Sequence, residues 1–368
     1  MAESQISDSS HLTSSPITSA ENVRAAEAGW TPDTPFRPRR WLSGGHVQTL
    51  ASFFIQRKIH LPPAEERLVE VAPGIKIRCW CRWQKREEDR RSALTLIVVH
   101  GLEGSSDSQY MVGVARNGLA AGMNVVLMNQ RNCGGMDHFA PTLYNSSLSG
   151  DVAAVARHVV ERDGVSRFAL IGFSMGGNLV LKLAGEWGSA GPAEFRSVAA
   201  VCPAMDLAAS ADALHAPSNR LYEYYFLMQL FRRLRLKAKL FPETFDTARL
   251  RGVSSLRLFD DRITAHYCGF AGAEDYYQRA AAASVIDRIA VPASYHDRDL
   301  LRSGWLDGET HLARRPALLD VGYGKGRLAL IGFRAQNRAQ AYGTFKVLFN
   351  AIYQAGAVSI PAVGAASR

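Results

Sequence analysis

The chain has 368 residues and a mass of 40.3 kDa, enough for one large domain or two ordinary ones. Hydrophobic residues make up 47% and charged residues 21%, a balance that excludes a disordered or fibrous chain. No stretch approaches the roughly 18 consecutive apolar residues that a membrane-spanning helix requires, so we expect no transmembrane segment.

The net charge of +9 could attract nucleic acid or an anionic membrane surface. The basic excess is dispersed, and its densest cluster lies at residues 231–240, where apolar and basic residues alternate. We interpret that cluster as a surface helix with a solvated basic face, with a binding patch as the alternative. No motif of a nucleic-acid-binding fold is present, so we expect no nucleic-acid partner.

The N-terminus and the cysteines bear on the compartment. The first residues are polar and lack the basic-then-apolar order of a secretion signal. The five cysteines are an odd number without a close C-x-x-C pair, which favours a reducing, cytoplasmic location. Cys79 and Cys81 alternate around Trp80 as in a strand, so their thiols should share one face. We expect no cofactor and no metal.

Apolar runs of strand length alternate with helical segments. We predict strands near 68–84, 94–99, 124–129, 168–172 and 197–202, and helices near 109–121, 149–162 and 175–187. This alternation predicts an α/β fold with a mostly parallel sheet and helices on both faces.

Residues 207–285 are helical, aromatic and basic, which indicates an insertion over one end of the sheet. We divide the chain into a flexible tail (1–30), a core with this insertion (31–292), an atypical C-terminal segment (293–355) and a second flexible tail (356–368).

The string from Gly172 to Gly176 fits the pattern G-x-S-x-G between a predicted strand and a predicted helix. Small residues allow a tight turn, and the serine then stands at the helix N-terminus, where free N–H groups favour an anion. This predicts Ser174 as a nucleophile and the Met175 N–H as an oxyanion donor. A serine in a purely structural turn is the alternative.

A second loop, residues 100–104, follows the strand at 94–99. A loop at that place can bring another backbone N–H, that of Leu102, to the same oxyanion. His100 and Glu103 also have the spacing of a zinc pair. Because the segment leaves a strand rather than lying on a helix, and no third ligand is evident, we expect no zinc there.

Several motifs occur in a fixed order: FRPRRWLSGGHVQTL (36–50), HGLEGSSDSQYM (100–111), MNQRNCGG (128–135), PTLYN (141–145), GFSMGGN (172–178), PAMDL (203–207) and FDDRITAHYCGF with DYY (259–277). Together they resemble the YheT-like, embryogenesis-associated branch of the α/β-hydrolases over about residues 30–292. Asn132 stands where that family usually has Gly. The resemblance implies an α/β-hydrolase fold, a helical cap over about residues 207–285, and a serine hydrolase acting on esters.

The resemblance ends after Pro292. The family carries its triad acid in an Asp-Asp-Pro-like loop and its base in a Gly-Gly-His-like loop, and neither occurs here. No histidine lies beyond His311. Asp299 and His311 are the substitutes we consider, although 12 residues are few for the loops after two successive parallel strands. Asp206 is a further candidate acid, for which a structural helix cap is the favoured interpretation.

The segment from about 294 to 353 is similar to the C-terminal end of certain bacterial zinc-carboxypeptidase-like proteins, and no zinc ligand is carried over. The sequence looks like a join near residue 293. We predict two strands with a Gly-rich turn at 322–326 and a helix at 342–354, which could complete the sheet in a way unlike the family.

Two functions remain open. The first is a carboxylic ester hydrolase, in which Ser174 forms an acyl-enzyme with a small-molecule ester of short, medium or lipid-like acyl chain. The second is a catalytically impaired hydrolase scaffold that binds an acyl ligand, because the family's acid and histidine are missing. The aromatic and Leu-rich run at 221–228 suits an apolar acyl group, or packs the core of the insertion.

Overall fold

The computed structural model of the protein describes residues 47, 51, 58–285, 290–294, 316–323 and 326–331. Its strands are β1 (Glu65–Ala72), β2 (Ile75–Arg82), β3 (Thr95–Val99), β4 (Asn124–Met128), β5 (Phe168–Phe173), β6 (Phe195–Val201), β7 (Ala290–Ser294), β8 (Pro316–Tyr323) and β9 (Gly326–Ile331). Its helices are α1 (Glu87–Ser92), α2 (Gln109–Ala120), α3 (Ser149–Asp163), α4 (Met175–Trp187), α5 (Leu207–His215), α6 (Arg220–Leu240), α7 (Leu256–Phe259), α8 (Ala265–Cys268) and α9 (Ala273–Ala280).

The strands form one sheet in the order β1-β2-β4-β3-β5-β6-β9-β8-β7. The five central strands, from β4 to β9, run parallel, and antiparallel strands close both sides. The predicted mostly parallel sheet is confirmed. β8 and β9 confirm the two strands predicted for the C-terminal segment, and β9 completes the sheet by pairing with β6.

Side chains bury both faces of the central strands. One core cluster joins the sheet to α3 and α4, including Val155, Val159 and Leu179, and a second joins the opposite face to α2, including Met111 and Val114. Because each of β3, β4 and β5 is buried along its whole length, these strands read in the sequence as continuous apolar runs. Helices therefore cover both faces, as predicted.

The region predicted as one strand at 68–84 is instead a hairpin. Its turn contains Gly74 at φ 71°, a conformation that glycine adopts without steric cost, and β1 and β2 pair on either side of it. Cys79 and Cys81 do share one buried face, as predicted, and burial raises the pKa of the Cys81 thiol to about 12. The six-residue helix α1 was not predicted, since it buries no side chain and shows no apolar pattern.

The helix α6 corrects a second prediction. The basic cluster at 231–240 is only partly solvated: Arg232, Arg235 and Lys239 are exposed, but the Lys237 side chain is fully buried. Its Nζ donates to Asn132 Oδ1 at 3.2 Å, to Asp137 O at 2.8 Å and to Ala140 O. Burial lowers the pKa of Lys237 to about 8. Within the described part of the chain, no helix has the length and hydropathy to cross a membrane.

Candidate active site

Ser174 occupies a sharp turn between β5 and α4. Its backbone lies at φ 52° and ψ −117°, a strained conformation for a residue with a side chain. The Ser174 N–H donates to Val201 O at 2.9 Å, and its carbonyl accepts from the Asn178 N–H at 3.1 Å, so the adjacent strand β6 and helix α4 both hold the turn. The serine side chain is exposed, whereas Phe173 and Met175 beside it are buried.

Glycines make this turn possible. A Cβ added to Gly172 would collide with the carbonyl of Gly176, and one added to Gly176 would collide with the carbonyls of His100 and Val99. The obstacles are backbone atoms of β3 and α4, which cannot rotate away. Helix α4 therefore starts close against the strand ends because its glycines carry no side chain.

The loop after β3 lies directly against the serine. A Cβ added to Gly101 would lie 3.1 Å from Ser174 Cβ and 3.7 Å from Ser174 Oγ. Leu102, the next residue, lines the same cavity as Ser174 and Met175. Neither the Leu102 N–H nor the Met175 N–H donates to another described residue. Backbone N–H groups near a nucleophilic serine can in general stabilise a developing oxyanion.

His100 holds this loop in place and is not a free base. Its Nε2 accepts from the Gln130 backbone N–H at 3.1 Å, which leaves the proton on Nδ1, 2.8 Å from Gly101 O. The Gln130 side chain also donates to His100 O at 2.7 Å. Burial lowers the pKa of the imidazole to about 4. The ring is therefore neutral near pH 7, with both nitrogens engaged.

A buried ion pair joins the same loop to α6. Arg233 binds Glu103 through two hydrogen bonds, at 2.8 Å and 2.9 Å, and also binds Asp137 at 2.8 Å and the carbonyl of Asn132. Glu103 lies at φ 53°, and its backbone N–H donates to the Tyr144 hydroxyl at 2.9 Å. Glu103 thus pairs with arginine, which agrees with setting aside the zinc interpretation of its spacing from His100.

Ser174 opens into a cavity of about 310 Å³. Residues of the strand ends and of the helical segment line it together, and most of the lining is apolar: Leu102, Leu143, Met175, Leu207, Leu214, Phe226, Leu230, Leu234, Leu256 and Phe259. A cavity of this kind suits an apolar ligand with a reactive polar group near the serine.

One acidic side chain, Asp260, also lines the cavity. Thr264 Oγ1 donates to its Oδ1 at 2.7 Å and the Tyr277 hydroxyl donates to its Oδ2 at 2.9 Å. Burial raises the pKa of Asp260 to about 6. The carboxyl group connects the π-helical turn Asp260–Thr264 to α9, and it is the one acidic group among the residues that line this mostly apolar cavity.

The other candidate residues lie in several places. Asp206 is exposed, and its Oδ1 caps α5 by accepting from the Ala209 N–H at 2.9 Å, which confirms the helix-cap interpretation. His266, which lies in the FDDRITAHYCGF motif, is exposed and does not line the cavity. Asp299 and His311 lie outside the described residues. Among residues 58–285, no imidazole lines the cavity wall.

A family model described as the alpha/beta hydrolase fold matches residues 95–265. YheT of Escherichia coli strain K12, which carries an esterase name, is 30% identical over 259 residues, covering 70% of this chain and 75% of YheT. The chain belongs to the YheT-like branch of the α/β-hydrolases. Mouse phospholipase ABHD3 is 27% identical over 265 residues, which span 63% of that protein. The solved structure of esterase Pf2001 from Pyrococcus furiosus is similar at a TM-score of 0.35 and 18% identity, covering 52% of this chain and 70% of that one.

Two asparagines in the motifs shared with this family hold the loops around the site. Asn178, in the GFSMGGN motif, donates to Ser146 O at 3.1 Å and to Ala280 O at 2.8 Å, and accepts from the Ala282 N–H at 2.8 Å. Asn132 stands at φ 61°, where the family usually has Gly, and its side chain binds Lys237 and Thr142 O. Asparagine tolerates this left-handed backbone better than most residues.

Sequence reasoning missed two groups at the site. The role of Arg233 was hidden because its partners, Glu103 and Asp137, lie about a hundred residues or more away in the chain. Asp260 lies in the FDDRITAHYCGF motif, so the resemblance marked the position but gave it no role. Its distance in sequence from Ser174 meant that only folding could bring both to one cavity.

Proposed function

We propose that the chain is a serine hydrolase of carboxylic esters with an apolar acyl group. The observation that supports this most directly is Ser174 itself, exposed in a strained turn that lines a mostly apolar cavity, which it shares with Leu102 and Met175, whose backbone N–H groups donate to no described residue. The family supplies the class of reaction, and the lining of the cavity supplies the preference for short, medium or lipid-like acyl chains.

The reaction that we propose at this site has two stages. Ser174 Oγ bonds to the ester carbonyl carbon while its proton passes to a base, and the Leu102 and Met175 N–H groups hold the resulting oxyanion. Collapse breaks the bond between that carbon and the alcohol oxygen, and the alcohol leaves with the proton from the base. Water then repeats these steps on the acyl-enzyme, releasing the carboxylic acid and restoring Ser174.

For the acid and the base we propose Asp299 and His311. Paired residues run across the sheet from Phe173 through Val201, Ile331 and Leu318 to Ala293. Ser294 and Pro316, which bound the segment holding both residues, therefore stand at the same edge of the sheet as Ser174. The objection that 12 residues are too few assumed two parallel strands. Because β7 and β8 are antiparallel, one connection at this edge could supply both groups.

A fluorophosphonate probe tests the nucleophile. We expect rapid labelling at Ser174, located by mass spectrometry, and no labelling of Ser174→Ala. Ser210→Ala is the matched control, because Ser210 also lines the cavity but donates its hydroxyl to Asp206 O at 2.6 Å. Labelling that survives Ser174→Ala, or that needs Ser210, contradicts the assignment.

The same probe tests the base. His311→Ala should slow labelling by roughly a hundredfold or more, within the range expected for general-base catalysis. His266→Ala should leave it unchanged, because His266 is exposed and does not line the cavity. If His311→Ala labels at the normal rate, His311 is not the base, while the nucleophile assignment stands.

The second candidate function is an acyl-binding scaffold with little turnover. It is favoured by the cavity wall, which carries no imidazole within residues 58–285. A folded wild-type protein that binds a fatty acid but neither reacts with the probe nor hydrolyses esters would decide for it. For either function we propose a reducing, cytoplasmic compartment, where five free cysteines persist as thiols.

A further inference from the structure

The outer face of α6 has an unusual composition for a protein surface. Among the described residues seven large apolar side chains are well exposed, and five of them lie on this one helix: Leu221, Tyr224, Tyr225, Leu236 and Leu240. Leu221 is 65% exposed and Tyr224 63%. Clustered exposed apolar residues mark an interaction surface, whereas scattered ones do not.

Basic residues share this face. At helical spacing, positions 221, 224, 225, 228, 232, 235, 236 and 239 form one stripe, which includes the exposed Arg232, Arg235 and Lys239. None of these three forms an ion pair with a described residue, and the only acidic residue of α6, Glu223, is buried. The stripe is therefore apolar and aromatic in its first half, and mixed apolar and cationic in its second.

The opposite face of α6 belongs to the cavity. Phe226, Leu230, Arg233 and Leu234 all line the space into which Ser174 opens. One helix thus separates the exposed stripe from the apolar cavity. An apolar ester held at a surface against this stripe would lie close to the place where it would react.

We propose that the outer face of α6 docks on an anionic lipid bilayer. Helices that lie in a membrane interface combine an apolar and aromatic face with Lys and Arg, which bind anionic headgroups. Leucine and tyrosine side chains favour the headgroup region over a nucleic acid, since they gain nothing from a phosphate backbone. The delivery of substrate from the bilayer rests on the proposed function, but the docking itself does not.

Flotation with lipid vesicles tests the proposal on the full chain. We expect binding to vesicles of phosphatidylcholine with about one-third phosphatidylglycerol, and weak binding to phosphatidylcholine alone. Replacing Arg232, Arg235 and Lys239 together by Glu should lower the partition coefficient about tenfold or more. Leu221→Ser with Tyr224→Ser should lower it on both types of vesicle, because it removes the apolar contact.

The matched control replaces three exposed basic residues on other elements, Lys76, Arg116 and Arg157, by Glu, which changes the net charge equally. The control should bind nearly as the wild type does, and circular dichroism should show all variants folded. Equal loss in both triple variants would reduce the effect to net charge and overturn the proposal. An absence of binding by the wild type would also overturn it. A dimer in solution that dissociates when the exposed residues of α6 are replaced would do the same, since the face would then join two copies.

Ser174→Ala separates docking from chemistry. This variant should float as the wild type does, because Ser174 lies in the cavity and not on the stripe. Loss of flotation in Ser174→Ala would contradict docking through α6. If the wild type floats but its serine does not react with the probe, the proposed function fails and the docking stands.

Discussion

Gly172 and Gly176 allow Ser174 to stand at the edge of the sheet. Each passes a backbone carbonyl so closely that a single Cβ would collide with it. The serine carries the strained backbone at φ 52°, and the contacts of the two glycines keep the strand and the helix on either side of it together. The reactivity of the site therefore depends on residues that have no side chain of their own.

Gly176→Ala should lower the free energy of unfolding by about 1–3 kcal/mol, because the His100 and Val99 carbonyls must move. Urea unfolding followed by circular dichroism measures this change. Gly150→Ala is the control: it lies in α3 with no atom within 4 Å of the added Cβ, so its stability should stay equal or rise by up to about 1 kcal/mol. A Gly176→Ala variant as stable as the wild type would show that the elbow can relax.

His100 should make stability depend on pH. Its folded pKa of about 4 lies below its ordinary value of 6.5, so between these values the unfolded chain binds a proton that the native protein does not. This contribution is fully present above pH 6.5 and is lost as the pH falls towards 4, by about 3 kcal/mol in total.

Urea unfolding at several pH values should show this slope in the wild type and a smaller one in His100→Asn, whose amide can still donate to Gly101 O. His266→Asn is the control, because His266 is exposed. Identical slopes in all three proteins would mean that the imidazole at position 100 takes up a proton in the folded state.

Two basic side chains on the inner face of α6 bind the loops that follow β3 and β4, beside the buried leucines with which the helix packs on its neighbours. Arg233 and Lys237 lie one turn apart and reach Glu103, Asn132 and Asp137 in the loops after β3 and β4. Because Glu103 follows Leu102 directly, the position of α6 affects the backbone that we propose to hold the oxyanion. The helix and the loop should therefore be energetically coupled.

A double-mutant cycle of Arg233→Met and Glu103→Gln should give a coupling energy of about 2 kcal/mol or more in the free energy of unfolding, because both groups are largely buried. The control cycle of Arg91→Met and Glu87→Gln should give about 0.3–0.5 kcal/mol, since that pair is exposed within one helix. Equal couplings in the two cycles would contradict a structural role for the buried pair.

The sheet as a whole depends on strands from the far end of the chain. β6 is buried along its last five residues, and β9 pairs with Ser197–Val201 in parallel. Without β7, β8 and β9, an apolar strand in the middle of the sheet would become an exposed edge, and such edges aggregate.

A chain ending at residue 285 should therefore be insoluble or aggregated on size-exclusion chromatography. A chain ending at residue 355 retains every described strand and should elute as the full chain does. A soluble, helical and monomeric protein from the shorter chain would show that β6 does not need a partner on that side.

The sequence determined the parts of the fold that rest on local patterns. Continuous apolar runs marked β3, β4 and β5, and the alternation of strands with helices marked the parallel sheet. The glycines around Ser174 marked the elbow because a tight turn needs them within a few residues of each other. The ordered motifs further identified the family, as the 30% identity to YheT confirms.

Tertiary structure decided what depends on contacts between distant residues. It buried Lys237 and Arg233, which look like solvated residues in the sequence because their acceptors lie on other loops. Asp260 lines the cavity of Ser174 only in the folded chain, and there both ring nitrogens of His100 are hydrogen-bonded, to the Gln130 N–H and to Gly101 O. It also inserted β9 between β6 and β8, since strand pairing is chosen by the packing of the whole sheet and not by the order of strands along the chain.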